Sequence, residues 1–505
     1  MKKALSIILI LLVILTGCTS NNTSSGDEKE KEKDSSEKEL VVAQVSDAST
    51  MDPQNQGSMP DMNILINIFD TLVTRDENNN LAPSLATEWE AIDDTTWQFK
   101  LRDDVTFHNG EKFNAETVKY SIERLNSLNE IVELRNVKEV NVVDEYTVNI
   151  VTEAPDPILP NKTVLFGGVM VPKQYIEEEG EDNFAKNPVG TGPFKFVSWK
   201  KDNEVVLEAN ADYFKGVPEI DKLVFRTIPN IADMVAAAKT GEIDIATGLT
   251  SDVAIQLEGD QNISVVAADW IRTFYLVIDT TKDGPLAKKE VRQAMNHAVN
   301  IQQIIDTVLG GYAKRVATLI PSQNFGVDSD IKPFEYDLEK AKELLAQAGY
   351  PDGFEVDLDA ANTDSAIVQA IAAELEKVGI KVKVNLMDRT TLMSNITAKT
   401  SAPLYYLGNT GWTMDAISNF QSYIKSDRRY NVWKNDEADQ LMDVQEQNID
   451  PEIRQEALTG IQELLIEEAP YVYLWQLDGL YAMSNDVEWE PNVIGVLNMY
   501  NASLK

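Results

Sequence analysis

The 505-residue sequence predicts an α/β protein of more than one domain. Three observations carry that expectation. The body beyond residue 39 is long enough to bury two or three cores. Its first half reads as short strands with few helices, and its second half holds a strand–helix–strand unit over residues 354–386. Such a unit normally sets two parallel strands side by side in one sheet.

The chain opens with Met1-Lys2-Lys3, an apolar run from Ala4 to Leu15, and Thr16-Gly17-Cys18. These are the parts of a secretory signal peptide, expected over residues 1–17, and the run is shorter than the roughly 20 residues that span a bilayer. Leu15-Thr16-Gly17-Cys18 resembles the bacterial lipobox, which implies cleavage before Cys18 and a diacylglyceryl group on its sulfur. Two acyl chains suffice for stable anchoring. Residues 18–39 are polar and then alternate Lys with Glu or Asp. They have nothing to bury and are expected to form a disordered tether. The expected location is therefore extracytoplasmic, on the cell membrane through Cys18.

Beyond the tether, residues 40–45 read as a buried strand that Asp52-Pro53 follows. Thr96–Leu101 alternates with period two, as a half-buried strand does. A helix is expected from about Asn114 to Leu125, and strands over 140–151 and 205–209. In the second half, Val291, Ala294, Met295 and Ala298 share one helix face, and Asn300 caps the next helix. Asp337 caps another, which Gly349 stops. Residues 354–358, a helix through Ile367, Ile371, Leu375 and Val378, and residues 380–386 form the strand–helix–strand unit. The last helix opens at Asp450-Pro451, and a strand follows from Tyr471 to Trp475.

Composition excludes several function classes. Net charge is −37, and removing the seven acids and six bases of residues 1–39 leaves 75 Asp+Glu against 39 Lys+Arg. Such a surface repels nucleic acid and anionic lipid headgroups. Cys18 is the single cysteine, so no disulfide is available. With His108 and His297 the only histidines, there is no Cys-His pair and no His-rich metal site. Phosphate-cradling loops and the GxSxG elbow are missing from the sequence. The reading is a protein without cofactor or metal that performs no chemistry.

Pro188-Val189-Gly190-Thr191-Gly192-Pro193-Phe194-Lys195-Phe196, followed by Val206-Leu207-Glu208, Asn210, Tyr213 and Gly216, resembles the signature of family 5 solute-binding proteins, the peptide, dipeptide and nickel receptors of ABC importers. Asp52-Pro53, Leu81–Ala86, Trp97 with Phe99, Phe107-His108-Asn109-Gly110, Gly241–Asp244, Val291–Ala294 and Gly379-Ile380 resemble further landmarks of that family, in its order. The resemblance implies a periplasmic-binding-protein-like two-lobe α/β fold, type II and cluster C-like. It implies an N-terminal lobe of residues 40–268 plus 471–505, with an insertion subdomain at about 62–188, and a C-terminal lobe of residues 269–470. The switches in chain character near 265–270 and 470–478 fit two hinge crossings. Ligand would be enclosed between the lobes by hinge closure. The implied partners are a peptide or peptide-like ligand, an ABC permease and its ATPase, and the protein is expected to act as a monomer.

A family pattern of tryptophan followed three residues later by aspartate resembles Trp412-Thr413-Met414-Asp415. It implies that Asp415 pairs with a peptide α-amine and that Trp412 walls the pocket, although core packing and turn capping are the competing roles. Peptide receptors commonly continue with Asp-Pro, whereas this chain continues Ala416-Ile417-Ser418-Asn419-Phe420. That departure leaves glutathione, an opine or another small non-standard peptide as alternative ligands; a sensing adaptor that binds a peptide pheromone in the same cleft is the alternative from another class. Further expected ligand contacts are Asn419, Arg272 and Tyr275 after the first crossing, Ser58 and Met59 in the loop after Asp52-Pro53, and Trp475 and Gln476 at the second crossing. Arg389, Arg428 and Arg429 are possible carboxylate partners.

Overall fold

A computed structural model describes residues 38–505. The signal peptide, Cys18 and the tether up to residue 37 lie outside the described residues. Lys38–Lys505 forms one compact unit.

Among the described residues, an 11-stranded sheet connects the two halves of the chain. Its order is Ile380–Met387, Phe354–Ala361, Leu404–Thr410, Ile263–Ile278, Tyr471–Ser484, Ile245–Ala246, Glu39–Gln44, Lys222–Thr227, Glu204–Ala209 and Phe194–Lys200, with Ala313–Arg315 added on Tyr471–Ser484. The predicted strand–helix–strand unit is present. Phe354–Ala361 and Ile380–Met387 pair in parallel from Phe354↔Ile380 to Ala361↔Met387, with the helix Ser365–Glu376 between them.

Two long strands, Ile263–Ile278 and Tyr471–Ser484, are the only members shared by both halves of that sheet among the described residues. They pair antiparallel from Ile263↔Ser484 to Val277↔Tyr471, and the register slips between Asp269 and Arg272 and again between Phe274 and Tyr275. Hydrophobic contacts change partners at these bulges. Ile271 and Tyr481 belong to a core with Leu40, Met62, Phe194 and Phe225. Phe274, Leu276, Val472 and Trp475 belong to another with Val291, Leu345, Ile371 and Leu404. Bulges bend and twist a strand locally, and here they fall where the cores change. The sequence placed one strand at 471–475; it continues to Ser484 because it serves both cores.

A separate core lies in the first half, where Leu72, Phe99, Phe107, Val118, Ile122, Leu134, Val148, Ile150 and Met170 pack together. It carries a four-stranded antiparallel sheet ordered Ala86–Asp93, Thr96–Leu101, Thr147–Thr152, Val137–Asp144. The expected single strand over 140–151 is thus a hairpin, turned at Glu145 and Tyr146. The helix Met59–Ile68 buries Met62, Ile64, Leu65 and Ile68 in the neighbouring core, so the separate core starts at Leu72 and not at 62. Asn114 caps the helix Ala115–Leu128 and forms a reciprocal pair with Thr117.

The signature residues meet at the junction of these two cores. Gly192 N–H donates to Ile68 O at 2.8 Å, and a Cβ on Gly190 or Gly192 would stand 2.0 or 2.6 Å from that same carbonyl oxygen. Only glycine allows this approach. Asp70 accepts from Thr191 Oγ1 at 2.9 Å and from Tyr213 Oη at 2.8 Å. His108 Nε2 lies 3.0 Å from Gly192 O, and Asn210 Nδ2 donates to the same oxygen at 3.1 Å. Burial pushes the His108 imidazole down to about 4, so it is neutral near pH 7. The neutral ring accepts from Gly190 N–H through Nδ1 and donates through Nε2. Asp52, from another landmark, forms a buried pair with Arg124 at 2.6 Å. These motif residues bond segments of the two cores to each other.

Candidate ligand cleft

Strand polarity locates the cleft. Phe354–Ala361, Ile380–Met387 and Leu404–Thr410 run parallel, so their carboxyl ends share one edge. Ile263–Ile278 runs against Leu404–Thr410, pairing Arg272 with Thr410 at that edge. Glu39–Gln44 is parallel to Ile245–Ala246, and both oppose the direction of Tyr471–Ser484, as Ile263–Ile278 does. The carboxyl ends of the first-half strands therefore point toward those of the second half. In open α/β sheets ligands bind outside the carboxyl ends of strands.

From the first half, the loop after Gln44 brings Gln56, Gly57, Ser58 and Met59 to a depression of about 240 Å³. Residues 130–133 and Phe166 complete its wall. Ser58 caps the helix Met59–Ile68, accepting from Asp61 N–H at 3.3 Å while its hydroxyl donates to Asp61 Oδ2 at 2.7 Å. From the second half comes Trp412, half-buried, with its ring edge-on to Phe166 at 5.5 Å. Ser58, Met59 and Trp412 are thereby gathered around one place. Next to Trp412, the Thr413 carbonyl accepts from Arg75 Nη2 at 2.6 Å and from Asn161 Nδ2 at 2.9 Å, both in the first half of the chain. Burial, partly offset by Asp415 and Asp76, lowers the Arg75 guanidinium to about 10.

Asp415 is turned inward. It is buried, accepts from Ile417 N–H at 3.0 Å as a helix cap, and binds Arg454 Nη2 at 2.7 Å, with the Arg454 side chain also buried. Met414 before it takes a left-handed conformation at φ 55°, which turns the chain into that cap. Arg272 has no hydrogen-bond or ion-pair partner among the described residues. Its guanidinium lies 4.8 Å from the Phe274 ring and 5.4 Å from the Trp270 ring. Burial lowers its pKa, and the like charge of Arg389 adds to the effect. Asp364, raised by burial and drawn back by Arg389 and Arg272, is the acid of that group.

The other expected contacts sit deeper. Tyr275 and Trp475 are fully buried. Gln476 is spent on Ser322 N–H at 3.0 Å and on Gln323 Oε1 at 2.8 Å. Asn419 accepts from Asn324 Nδ2 at 2.9 Å in the interior. In this conformation these four side chains pack the scaffold behind the cleft. Arg75, Asn161, Phe166, Glu133, Gln56 and Arg454 were not singled out from sequence. None sits in a pattern that betrays a long-range partner; Gly167-Gly168 after Phe166 was the nearest signal, for it marks a close turn.

Residues 80–431 match the model of bacterial extracellular solute-binding proteins, family 5 middle. The glutathione-binding protein GsiB of Salmonella typhi is 26% identical over 456 residues, covering 86% of this chain and 88% of the relative. Among solved structures, the periplasmic binding protein DppA of Helicobacter pylori in complex with the peptide STSA is 28% identical, with a TM-score of 0.75 over 92% of this chain and 98% of that one. AgaA of A. tumefaciens R10 in complex with agropinic acid is 27% identical, with a TM-score of 0.73 over 92% and 99%. These neighbours are two-lobe α/β binding proteins, as the sheet and its crossing strands here require. The chain belongs to the bacterial extracellular solute-binding proteins, family 5.

Proposed function

We propose that this protein is the receptor of an ABC importer that captures a di- or oligopeptide between two lobes and delivers it to the permease. The observation that carries the reading is the meeting of Trp412 with Phe166 beside Ser58 and Met59, where the carboxyl ends of two strand sets face each other. The lobes are residues 40–268 with 471–505, and 269–470, hinged at the bulges in the two long strands. The protein binds its ligand without altering it and works as a monomer. Cys18 carries the lipid that anchors the protein to the membrane beside the permease. Glutathione is the second reading, favoured by the Salmonella relative.

Native mass spectra of the protein, incubated with a mixed tryptic digest and glutathione, test this. A ladder of peptide adducts supports peptide capture, a single glutathione adduct supports the second reading, and no adduct of either kind refutes both. Mass spectrometry of the membrane-bound form tests for diacylglyceryl on Cys18; an unmodified Cys18 refutes the anchor.

A further inference from the structure

With Asp415 bound to Arg454 and to Ile417 N–H, a ligand's amine needs another acid. The depression next to Phe166 contains one. Glu133 lines it, and its carboxylate accepts from the backbone N–H groups of Val132 and Glu133. Gln56 lines the same depression and is 4% exposed. Its Oε1 accepts from Ser58 N–H at 3.1 Å, which fixes the amide, and its Nε2 is left buried with no hydrogen-bond partner. An unmet buried donor is unfavourable, and so is a partly desolvated carboxylate whose charge only backbone N–H groups meet. The two do not bond each other.

One chemical group satisfies both. In the N-terminal end of a peptide, an ammonium is followed one carbon later by a carbonyl. We propose that this depression seats the free N-terminal aminoacyl end of the ligand, with the ammonium on Glu133 and the first carbonyl accepting from Gln56 Nε2. Met59, Ile131 and Phe166 would cover the first side chain. A lysine side-chain amine meets only half of the requirement, because it has no carbonyl beside it. The nearby Trp412, edge-on to Phe166, brings the second half of the chain over this seat. The burial that raises the Glu133 pKa is compensated when a cation arrives. The inference rests on the peptide-receptor reading.

The test uses the full-length protein and two synthetic libraries of two- to five-residue peptides, one with free and one with acetylated N-termini. Wild type is expected to retain the free library at least tenfold better. Glu133→Gln is expected to lose most of that preference at unchanged melting temperature, a tenfold loss being the lower end for a charge-assisted hydrogen bond. Equal retention of the two libraries overturns the seat while leaving the peptide receptor standing. Retention of neither overturns both. A folded Glu133→Gln protein with undiminished preference also overturns the seat, and if that variant does not fold, the wild-type comparison decides alone.

Discussion

Asp415→Asn removes a charge from one of the most enclosed ion pairs in the second half of the chain. Arg454 and Asp415 side chains are 6% and 3% exposed, and their closest atoms are 2.7 Å apart. Arg454 also donates from Nε to Gln445 O at 3.3 Å and lies 4.9 Å from the Phe325 ring, so it cannot turn out to water without breaking that packing. Removing one partner of a buried pair typically costs about 3–5 kcal/mol, because the other charge stays buried without compensation. Asparagine keeps an oxygen for Ile417 N–H, so the cap survives and the low end, about 3 kcal/mol, is expected. At about 2.1 cal/mol/K per residue over the 468 residues of the compact unit, that is a fall of about 3 °C in melting temperature. Arg454→Met alone should cost as much. The double variant should cost clearly less than the sum, with a coupling of about 2 kcal/mol in a denaturant double-mutant cycle. Additive losses, or a stable Asp415→Asn protein whose peptide affinity falls by the 1.5–3 kcal/mol typical of a charged hydrogen bond, would refute the structural role and return Asp415 to the ligand.

Three further outcomes follow from other parts of the fold. His108 titrates at about 4 when folded against 6.5 when exposed, so the unfolded chain binds the extra proton between those values. Stability present above pH 6.5 should be lost as pH falls toward 4, by up to about 3 kcal/mol, and His108→Gln should flatten that slope in denaturant titrations at pH 7 and 4.5. Asp478, pushed up to about 6 by burial and by Asp269 opposite it, has the reverse sign: its contribution is present at low pH and lost as pH rises through 6. Asp478→Asn should therefore raise the melting temperature at pH 7.5 and leave it unchanged at pH 4. Gly190→Ala forces a Cβ to 2.0 Å from Ile68 O and should cost about 1–3 kcal/mol by denaturant midpoint, with ligand contacts untouched.

Local grammar was readable in the sequence because it depends on near neighbours. The Asn114, Asn300, Asp337 and Asp450 caps all stand where the spacing placed them. The parallel pair over 354–386 followed from two apolar strands around one amphipathic helix. The hairpin at 140–151 was missed because Glu145-Tyr146 carries neither glycine nor proline, the usual turn signals. The length of Tyr471–Ser484 was missed for another reason. Asp478 and Gly479 look like a strand end, yet a long partner across the sheet holds them in register with Asp269 and Ala268.

The site was less legible, and Asp415 shows why. A carboxylate after Trp-x-x can serve a ligand amine or an internal arginine, and the choice depends on a residue 39 positions away on another helix. Arg454 occupies a helix face where surface ion pairs are common, so nothing local marks it as a buried partner. Once that pair forms, the absence of Asp-Pro after Asp415 becomes intelligible: the following residues are free to make the short helix Ala416–Phe420, which buries Ala416, Ile417 and Phe420. In this structure the Asp415 carboxylate serves the scaffold, through Arg454 and the Ile417 N–H. The charge a ligand amine requires must then come from elsewhere on the cleft wall, and of the acids lining the depression beside Phe166, Glu130 is exposed while Glu133 is partly buried. A desolvated carboxylate gains more from a cation than one already solvated by water, which is why Glu133 is the residue that inherits the role.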